Sequence, residues 1–220
     1  YHVVFVDVNE TIVKAINRDG SYPISIVSNE SSKEIIIGPV SGVDGRDADT
    51  VAIEMLETDL IATAVGMGAL EKVSITITNG LKKRWSQGNF NPINIIICEN
   101  MLHADKYMEK LIISRLSLEE QAFFKKTVGL VEASIGRMVP VVVQRQSDNP
   151  LRVFVEGYDE LPVDKEGFKG RIPNINNMVP YSPFVYYIHR KLFMHNMGHA
   201  IAAYLGFREG YKYIWESMAD

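Results

Sequence analysis

Three short apolar runs, each followed by a stretch with helical periodicity, constrain the fold more than any other feature of this sequence. The runs are residues 2–7 (HVVFVD), 59–65 (DLIATAV) and 93–98 (INIIIC). Compact runs rich in aliphatic and β-branched residues are typical of strands that are buried in a parallel sheet. Because strands that alternate with helices build βαβ units, the sequence predicts an α/β fold with a doubly wound sheet.

The segments around these runs predict helices and additional β structure. Asn9 is a candidate cap for the first helix, and Ser117 with Glu120 forms a capping-box pattern. The predicted helices cover residues 9–17, 50–57, 69–84, 99–116 and 117–126. The predicted β-rich segments cover residues 21–27 and 33–37, as a hairpin, and residues 128–143, 151–156 and 161–164.

The pattern becomes helical from about Pro180 onwards, over residues 184–205 and again over 210–218. The preceding loop, residues 168–178, is rich in Gly, Pro and Asn and is the best candidate for a domain boundary. We therefore expect residues 1–178 to form an α/β domain with β-rich additions. Residues 179–220 are expected to begin a mostly helical domain.

Composition limits the classes of partner. The 220 residues carry a net charge of -4, which argues against a nucleic-acid partner. The single cysteine, Cys98, excludes an internal disulfide and indicates a reducing compartment. No apolar stretch approaches the ~20 residues that cross a bilayer, and no leader pattern is found. We therefore expect a cytoplasmic protein that binds neither nucleic acid nor membrane.

Asp7, at the end of the first run, indicates a nucleotide site. In a dinucleotide-binding fold, an acid at the end of the second strand bonds the adenosine ribose hydroxyls and favours NAD over NADP. The alternative is that Asp7 only caps the next helix. The glycine-rich turn that precedes such a strand by roughly 20 residues has no room in this sequence. Either the fold prediction is wrong, or the first strand and the phosphate loop lie outside this chain.

The ends of the other two runs supply further candidate cofactor contacts. Small residues there let the backbone approach a dinucleotide closely. The candidates are Thr63, Ala64, Val65 and Gly66. After the third run come Glu99 and Asn100, of which Asn100 is the expected contact with the nicotinamide ribose or the substrate. We expect Cys98 to be a core residue and not a nucleophile, since no histidine partner for it is evident.

Residues 191–199 place a lysine, an asparagine and a histidine on one predicted helix. On an α-helix, Asn196 lies about 140° and His199 about 80° around the axis from Lys191, so all three can point into one cleft. A cation that can lose its proton, an amide donor and an imidazole suffice to move a proton off an alcohol without a metal. The alternative is an ordinary helix with one solvated lysine and one buried histidine.

A metal site is not expected on this helix. His195 and His199 have the i,i+4 spacing of a zinc-binding helix. The zinc motif H-E-x-x-H, however, has glutamate at the position where Asn196 stands, and no third ligand is evident.

Several motifs together carry a family resemblance. They are residues 7–9 (DVN), 41–44 (SGVD), 63–66 (TAVG), 94–101 (NIIICENM), 168–170 (FKG), 173–175 (PNI) and 191–200 (KLFMHNMGHA). In this order they resemble the long-chain polyol-specific mannitol dehydrogenase family, and within it the enzymes that act on mannitol 1-phosphate. Members carry a glycine-rich loop before the position of Tyr1 and a helical region beyond that of Asp220. By this comparison the chain is an internal piece.

The resemblance implies an NAD-dependent, zinc-independent oxidoreductase that interconverts D-mannitol 1-phosphate and D-fructose 6-phosphate. Lys191 matches the family's general base, Asn196 would donate to the reacting oxygen, and His199 would bond a substrate oxygen or hold its neighbours. A polyol phosphate is then the small-molecule partner, and we expect a monomer. Two alternatives stay open: a dehydrogenase of a free polyol or sugar acid such as mannitol, arabinitol or mannonate, or a non-catalytic nucleotide-binding remnant.

One position departs from the family pattern. Members usually carry an acid immediately before the arginine that matches Arg137, whereas this chain has Gly136 there. Either that acid's role is lost or the alignment shifts here, and Glu156 is a candidate substitute.

Overall fold

A computed structural model of the chain describes residues 2–28, 31–139 and 149–219. Seven strands and five helices are interspersed among the described residues up to residue 132. They are β1 (Val3–Asp7), α1 (Glu10–Asp19), β2 (Tyr22–Val27), β3 (Ser32–Ile37), β4 (Val40–Asp44), α2 (Ala48–Glu54), β5 (Leu60–Thr63), α3 (Met67–Ser86), β6 (Ile93–Ile97), α4 (Ala104–Ile113), α5 (Leu118–Thr127) and β7 (Val128–Glu132). The remainder comprises β8 (Val153–Val155), β9 (Leu161–Asp164), a 3₁₀ turn (Lys165–Gly167), β10 (Met178–Tyr181), α6 (Val185–Arg190), a π-helical segment (Lys191–Asn196), α7 (Met197–Arg208) and α8 (Ile214–Ala219).

Parallel strands form the centre of the fold, as the sequence predicts. β5, β6 and β7 make one parallel sheet with β6 in the middle, and β1 pairs in parallel with β4. All five residues of β6 are buried. Ile93, Ile95 and Ile97 pack with Leu81 of α3 and Met108 of α4. Since burying one such side chain contributes roughly 1.5–3 kcal/mol, this cluster fixes the helices against the sheet.

The predicted hairpin is confirmed, and the sheet around it is larger than expected. β2 pairs antiparallel with β3 from Tyr22 opposite Ile37 to Val27 opposite Ser32. β8 joins the other side of β2 in parallel. Of the predicted β segment 128–143, β7 covers Val128–Glu132, residues 134–139 are not in a strand, and residues 140–143 lie outside the described residues.

Two strands were not predicted. β4 (VSGVD) is short and half polar, and its strand character comes from pairing residue by residue with β1. β10 contains a proline and pairs with β9. The chain is therefore still a strand at Pro180, where the pattern was expected to turn helical, whereas the helix predicted over residues 184–205 is confirmed and begins at Val185. The boundary that we propose after residue 178 falls inside β10.

The helix boundaries follow the capping residues. Asn9 caps α1, and Ser117 and Glu120 form the predicted capping box. α2 begins two residues before its predicted start because the Asp47 carboxylate accepts the Thr50 N–H at 3.1 Å. α4 begins at Ala104 instead of residue 99. None of the helices in the described part of the chain is both long and apolar enough to cross a membrane.

Gly129 of β7 allows a close approach that a side chain would prevent. A Cβ there would overlap Asn94 Oδ1 and lie 2.7 Å from Gly167 O. Asn94 is buried and bonds both backbone groups of Lys169. We expect Gly129→Ala to lower the free energy of unfolding by about 2–4 kcal/mol through overpacking and lost hydrogen bonds.

Urea denaturation measures this effect, with Gly68→Ala as the matched control. A Cβ at Gly68, in the first turn of α3, meets nothing within 4 Å. Because alanine favours helix over glycine, the control is expected to be neutral or stabilising. Equal unfolding midpoints for the two variants would contradict the close packing at Gly129.

Candidate active site

The predicted cofactor residues lie at the carboxyl edges of two parallel sheets, the β1–β4 pair and the β5–β6–β7 sheet. β1 ends at Asp7, β5 ends at Thr63, and β6 leads into Glu99 and Asn100. In open α/β sheets, ligands bind in the crevice outside this edge. Ala64, Val65, Gly66 and Asn100 are all exposed there.

The turn after β5 is held by Glu99. Its carboxylate accepts the Val65 N–H at 3.0 Å through Oε1 and the Gly66 N–H at 2.9 Å through Oε2. Glu99 is only 7% exposed, and a buried carboxylate needs such compensation. Gly66 has φ 79°, a conformation that favours glycine, and α3 begins directly after it. The sequence places Glu99 directly after a buried strand, but we expected its neighbour Asn100 to be the contact with the nicotinamide ribose or the substrate.

Thr63 lies beneath this turn and not on its surface. Its carbonyl accepts the Cys98 N–H at 2.9 Å. Its hydroxyl is buried and has no hydrogen-bond partner among the described residues. An unpaired buried hydroxyl is unusual, and it lies where sequence reasoning expected the fold to meet a cofactor.

Asp7 is exposed at the end of β1 and accepts the Asn9 N–H at 2.7 Å through Oδ1. The cap of α1 is Asn9, whose side chain accepts the N–H groups of Thr11 and Ile12. The capping role that was the alternative for Asp7 therefore belongs to its neighbour. A carboxylate at this strand end fits the hydroxyl pair of a ribose.

Lys191 and Asn196 converge on Asn100. Lys191 Nζ lies 3.0 Å and Asn196 Nδ2 lies 3.2 Å from Asn100 Oδ1. The amide oxygen of Asn100 thus accepts from both side chains, which leaves its Nδ2 group as a donor. The convergence joins the end of β6 to the late helix and forms the candidate catalytic group.

A π-helical segment produces this convergence, and sequence reasoning did not foresee it. The backbone over Lys191–Asn196 is π-helical, and the Met197 N–H donates to Leu192 O, five residues earlier. Residues five apart lie about one turn apart in such a segment, so Lys191 and Asn196 share a face. The α-helical angle of about 140° therefore does not apply. Single π turns inside α-helices frequently occur at functional sites.

His199 is not part of the group that meets Asn100. Its Nδ1 lies 2.9 Å from the carbonyl oxygen of His195, and the two imidazole rings are 4.6 Å apart. Since a carbonyl only accepts, Nδ1 carries the proton in this bond. Nε2 of the neutral ring is then an acceptor. Among the described residues, no three His, Cys, Asp or Glu side chains form a group that could hold a metal ion.

Burial shifts the pKa values of two side chains near this group in opposite directions. Burial lowers the pKa of Lys191 below its ordinary value, which favours the neutral amine that a base requires. Burial, with a smaller contribution from the charge of Glu99, raises the pKa of Cys98 to about 11. The thiol is therefore protonated near neutral pH and is not an activated nucleophile.

At Gly136, where family members usually carry an acid, the Tyr158 ring occupies the space that a side chain would need. A Cβ at Gly136 would lie 2.9 Å from Tyr158 Cε1. Arg137 donates through Nε to the backbone carbonyl of Glu156 at 3.2 Å. The Glu156 carboxylate instead accepts the Met138 N–H at 2.6 Å. Glu156, the substitute acid suggested by the sequence, therefore lies in this region. It contacts Arg137 through its backbone carbonyl and not through its carboxylate.

Most of the chain matches two known protein domains. Residues 1–177 match the mannitol dehydrogenase Rossmann domain, and residues 184–220 match the mannitol dehydrogenase C-terminal domain. The chain belongs to the mannitol dehydrogenase family. It combines the family's Rossmann-type α/β domain with the start of its helical C-terminal domain, which confirms the fold class and the resemblance expected from the motifs.

Curated members of the mannitol dehydrogenase family align along the entire chain. The mannitol-1-phosphate 5-dehydrogenase of Bacillus subtilis (strain 168) is 38% identical over 219 residues, which cover 99% of this chain and 57% of that protein. The enzyme of the same name from Shouchella clausii (strain KSM-K16) is 38% identical over 221 residues, with 100% and 57% covered. The chain thus spans 57% of the length of these relatives.

Solved structures of the mannitol dehydrogenase fold superpose well. Pseudomonas fluorescens mannitol 2-dehydrogenase, in a ternary complex with NAD and D-mannitol, has a TM-score of 0.81 at 15% identity. The alignment covers 98% of this chain and 53% of that one. A D-sorbitol dehydrogenase in substrate-free form has a TM-score of 0.82 at 14% identity, with 96% and 54% covered. At these identities the likeness concerns the fold.

Proposed function

We propose that this chain carries the NAD site and the catalytic helix of a dehydrogenase that interconverts D-mannitol 1-phosphate and D-fructose 6-phosphate. The carrying observation is the convergence of Lys191 and Asn196 on Asn100 at the carboxyl edge of the sheet. The relatives' names, mannitol-1-phosphate 5-dehydrogenase, support the substrate.

In this proposal Lys191 is the general base. Its Nζ takes the proton from the substrate hydroxyl, and burial favours the neutral amine that can do so. NAD, when bound, would supply the acceptor for the hydride that leaves the carbon bearing that hydroxyl. In the reverse direction the Lys191 ammonium returns the proton to the oxygen. No metal is required, because the charge that develops on oxygen is met by amide donors.

Asn196 and Asn100 are the donors in this proposal. The Asn100 amide is oriented because its Oδ1 accepts from both Lys191 and Asn196, so its Nδ2 remains to donate to substrate or cofactor. Donors fixed before the reaction stabilise developing alkoxide charge effectively. His199 Nε2 serves as an acceptor for a substrate hydroxyl, since Nδ1 is engaged by its own helix.

The cofactor contacts are the residues of the strand ends. Asp7 accepts from the ribose hydroxyls and disfavours a 2′-phosphate. The turn of Thr63, Ala64, Val65 and Gly66 supports the dinucleotide, and its shape depends on Glu99. The NAD bound in the mannitol 2-dehydrogenase structure of the same fold supports this choice of cofactor.

A nearby cavity favours a second candidate, the oxidation of a free polyol. A cavity of about 250 Å³ lies between the segment after Asn100 and the helix before Lys191. Its lining combines carboxylates, imidazoles and apolar groups: Leu102, His103, Glu132, Asp164, Glu166, Pro183, Phe184, Val185, Ile188 and His189. Carboxylates accept from sugar hydroxyls but repel a phosphate. A phosphorylated substrate must therefore place its phosphate outside this cavity.

A substrate panel separates the candidates. The assays use the full-length product of the reading frame that encodes this chain. Fructose 6-phosphate and fructose are tested for NADH oxidation, and mannonate and arabinitol are tested for NAD reduction. We expect kcat/KM for fructose 6-phosphate to exceed that for fructose by at least about 100-fold, or about 2.8 kcal/mol, the size of one or two charge-assisted hydrogen bonds. A preference for fructose would select the free-polyol reading. Binding of NADH without turnover of any substrate would select the non-catalytic remnant.

A further inference from the structure

Asp44 and Asp7 end two paired strands at the same edge of the fold. β1 and β4 are parallel, and Asp7 and Asp44 are direct partners in their register. The Gly45 N–H donates to the Asp7 carbonyl oxygen at 3.0 Å. The chain after β4 therefore crosses directly beside the strand end that carries the ribose acid. Arg46, one residue further, lies next to that strand end.

The Nε and Nη2 groups of the Arg46 guanidinium both bond to Asp44. Its Nε lies 2.9 Å from Oδ1, and its Nη2 lies 2.6 Å from Oδ2. The backbone N–H of Arg46 donates to the same Oδ1 at 2.9 Å. These bonds lower the pKa of Asp44 to about 2, so the carboxylate is charged at neutral pH. The paired fork geometry is the arrangement in which an arginine also binds phosphate.

NADP differs from NAD by a 2′-phosphate on the adenosine ribose, and an arginine near that position accommodates it. Arg46 stands near the ribose acid Asp7, but its fork is already taken. We propose that Asp44 makes this protein selective for NAD by holding Arg46 away from a 2′-phosphate and adding a second negative charge beside Asp7. This inference rests on the proposed cofactor site. In it, Asp44 is a positioning residue that acts through Arg46.

An exposed ion pair is a weak restraint, so the expected effect is moderate. In the full-length product, Asp44→Asn is expected to tighten NADPH binding by about 5–20-fold, from the freed fork and the lost repulsion. NADH affinity and kcat with NADH are expected to change less than about twofold, as for an exposed change that removes no cofactor contact. The readout is the ratio of the two dissociation constants in fluorescence titrations, which a merely structural defect would not shift.

Asp19→Asn is the matched control. Asp19 holds Arg18 in the same two-bond pair, at 2.6 and 2.8 Å, at the far end of α1. Asp19→Asn removes the same charge and the same kind of ion pair as Asp44→Asn, but at a position away from the carboxyl edge. We expect it to leave the NADPH-to-NADH ratio unchanged. An equal shift in both variants would reduce the effect to net charge and overturn the proposal.

The double variant with Arg46→Ala tests the arginine itself. If Arg46 is the phosphate ligand, most of the gain in NADPH affinity from Asp44→Asn disappears when Arg46 is also replaced, and only the part from the lost repulsion remains. A gain of undiminished size in the double variant overturns the role of Arg46. The cofactor site is tested separately by Asp7→Ala, which must weaken NADH binding. If it does so while Asp44→Asn leaves the ratio unchanged, this inference fails and the proposed function stands.

Discussion

Replacing Lys191 by alanine is expected to lower kcat by about 10²–10⁴-fold, the contribution of a positioned general base. NADH affinity is expected to stay within about twofold, because a change that removes no cofactor contact has a small effect. The observed hydrogen bond of Lys191 is to Asn100 and not to the turn of Thr63–Gly66. Steady-state kinetics of the full-length product and fluorescence titration with NADH measure the two effects.

The pH profile gives an independent reading of the same residue. Burial lowers the pKa of Lys191, so alcohol oxidation should rise with pH and reach its plateau below the ordinary lysine pKa of about 10.4. In Lys191→Ala this rising limb should vanish, and added methylamine should restore part of the rate. Lys212→Ala, at an exposed lysine on the following segment, is the control and should keep the full profile. Wild-type turnover in Lys191→Ala would remove this residue from the mechanism.

Replacing Glu99 by glutamine is expected to damage both stability and cofactor binding. The amide keeps one acceptor, while its NH₂ group faces a backbone N–H of Val65 or Gly66. Losing one charge-assisted bond and leaving a buried N–H unpaired should lower the free energy of unfolding by about 2–4 kcal/mol. Since the same turn supports the proposed cofactor site, NADH affinity should fall by about tenfold or more, equivalent to at least about 1.4 kcal/mol.

The control for Glu99 is Glu132→Gln. The half-buried carboxylate of Glu132 accepts a single backbone N–H, that of Ala104 at 3.0 Å, and burial raises its pKa. A neutral amide keeps that single bond, so the loss should stay at or below about 1 kcal/mol. Urea denaturation compares the two variants. Equal losses in the free energy of unfolding would show that the bonds from Glu99 to the Val65–Gly66 turn contribute no more to stability than the single bond of Glu132.

The strands divide clearly into those that the sequence could predict and those that it could not. The isoleucine run of β6 is buried on both faces, so its hydrophobicity alone reveals it. β4 carries no such signal, because Ser41 and Gly42 interrupt it and its strand form depends on pairing with β1. β10 likewise depends on β9. A pairing partner distant in sequence leaves no local pattern to detect.

The candidate site divides in the same way. Sequence and family resemblance together singled out Lys191, Asn196 and His199 for a metal-free proton transfer, and Asn100 as a contact with the nicotinamide ribose or the substrate. The tertiary structure decided that the Asn100 oxygen is the point where Lys191 and Asn196 meet, since a π turn reshapes the helix locally.

By itself the sequence determined the α/β class and the candidate site residues, since these follow from local hydrophobic patterns and side-chain types. Only the tertiary structure revealed Glu99 as the anchor of the Val65–Gly66 turn and Asp44 as the partner of Arg46 beside Asp7. The anchor joins residues more than 30 positions apart, and Asp44 meets Asp7 only through strand pairing. A buried carboxylate can bond any backbone N–H that folding brings to it, so composition and spacing do not specify which one.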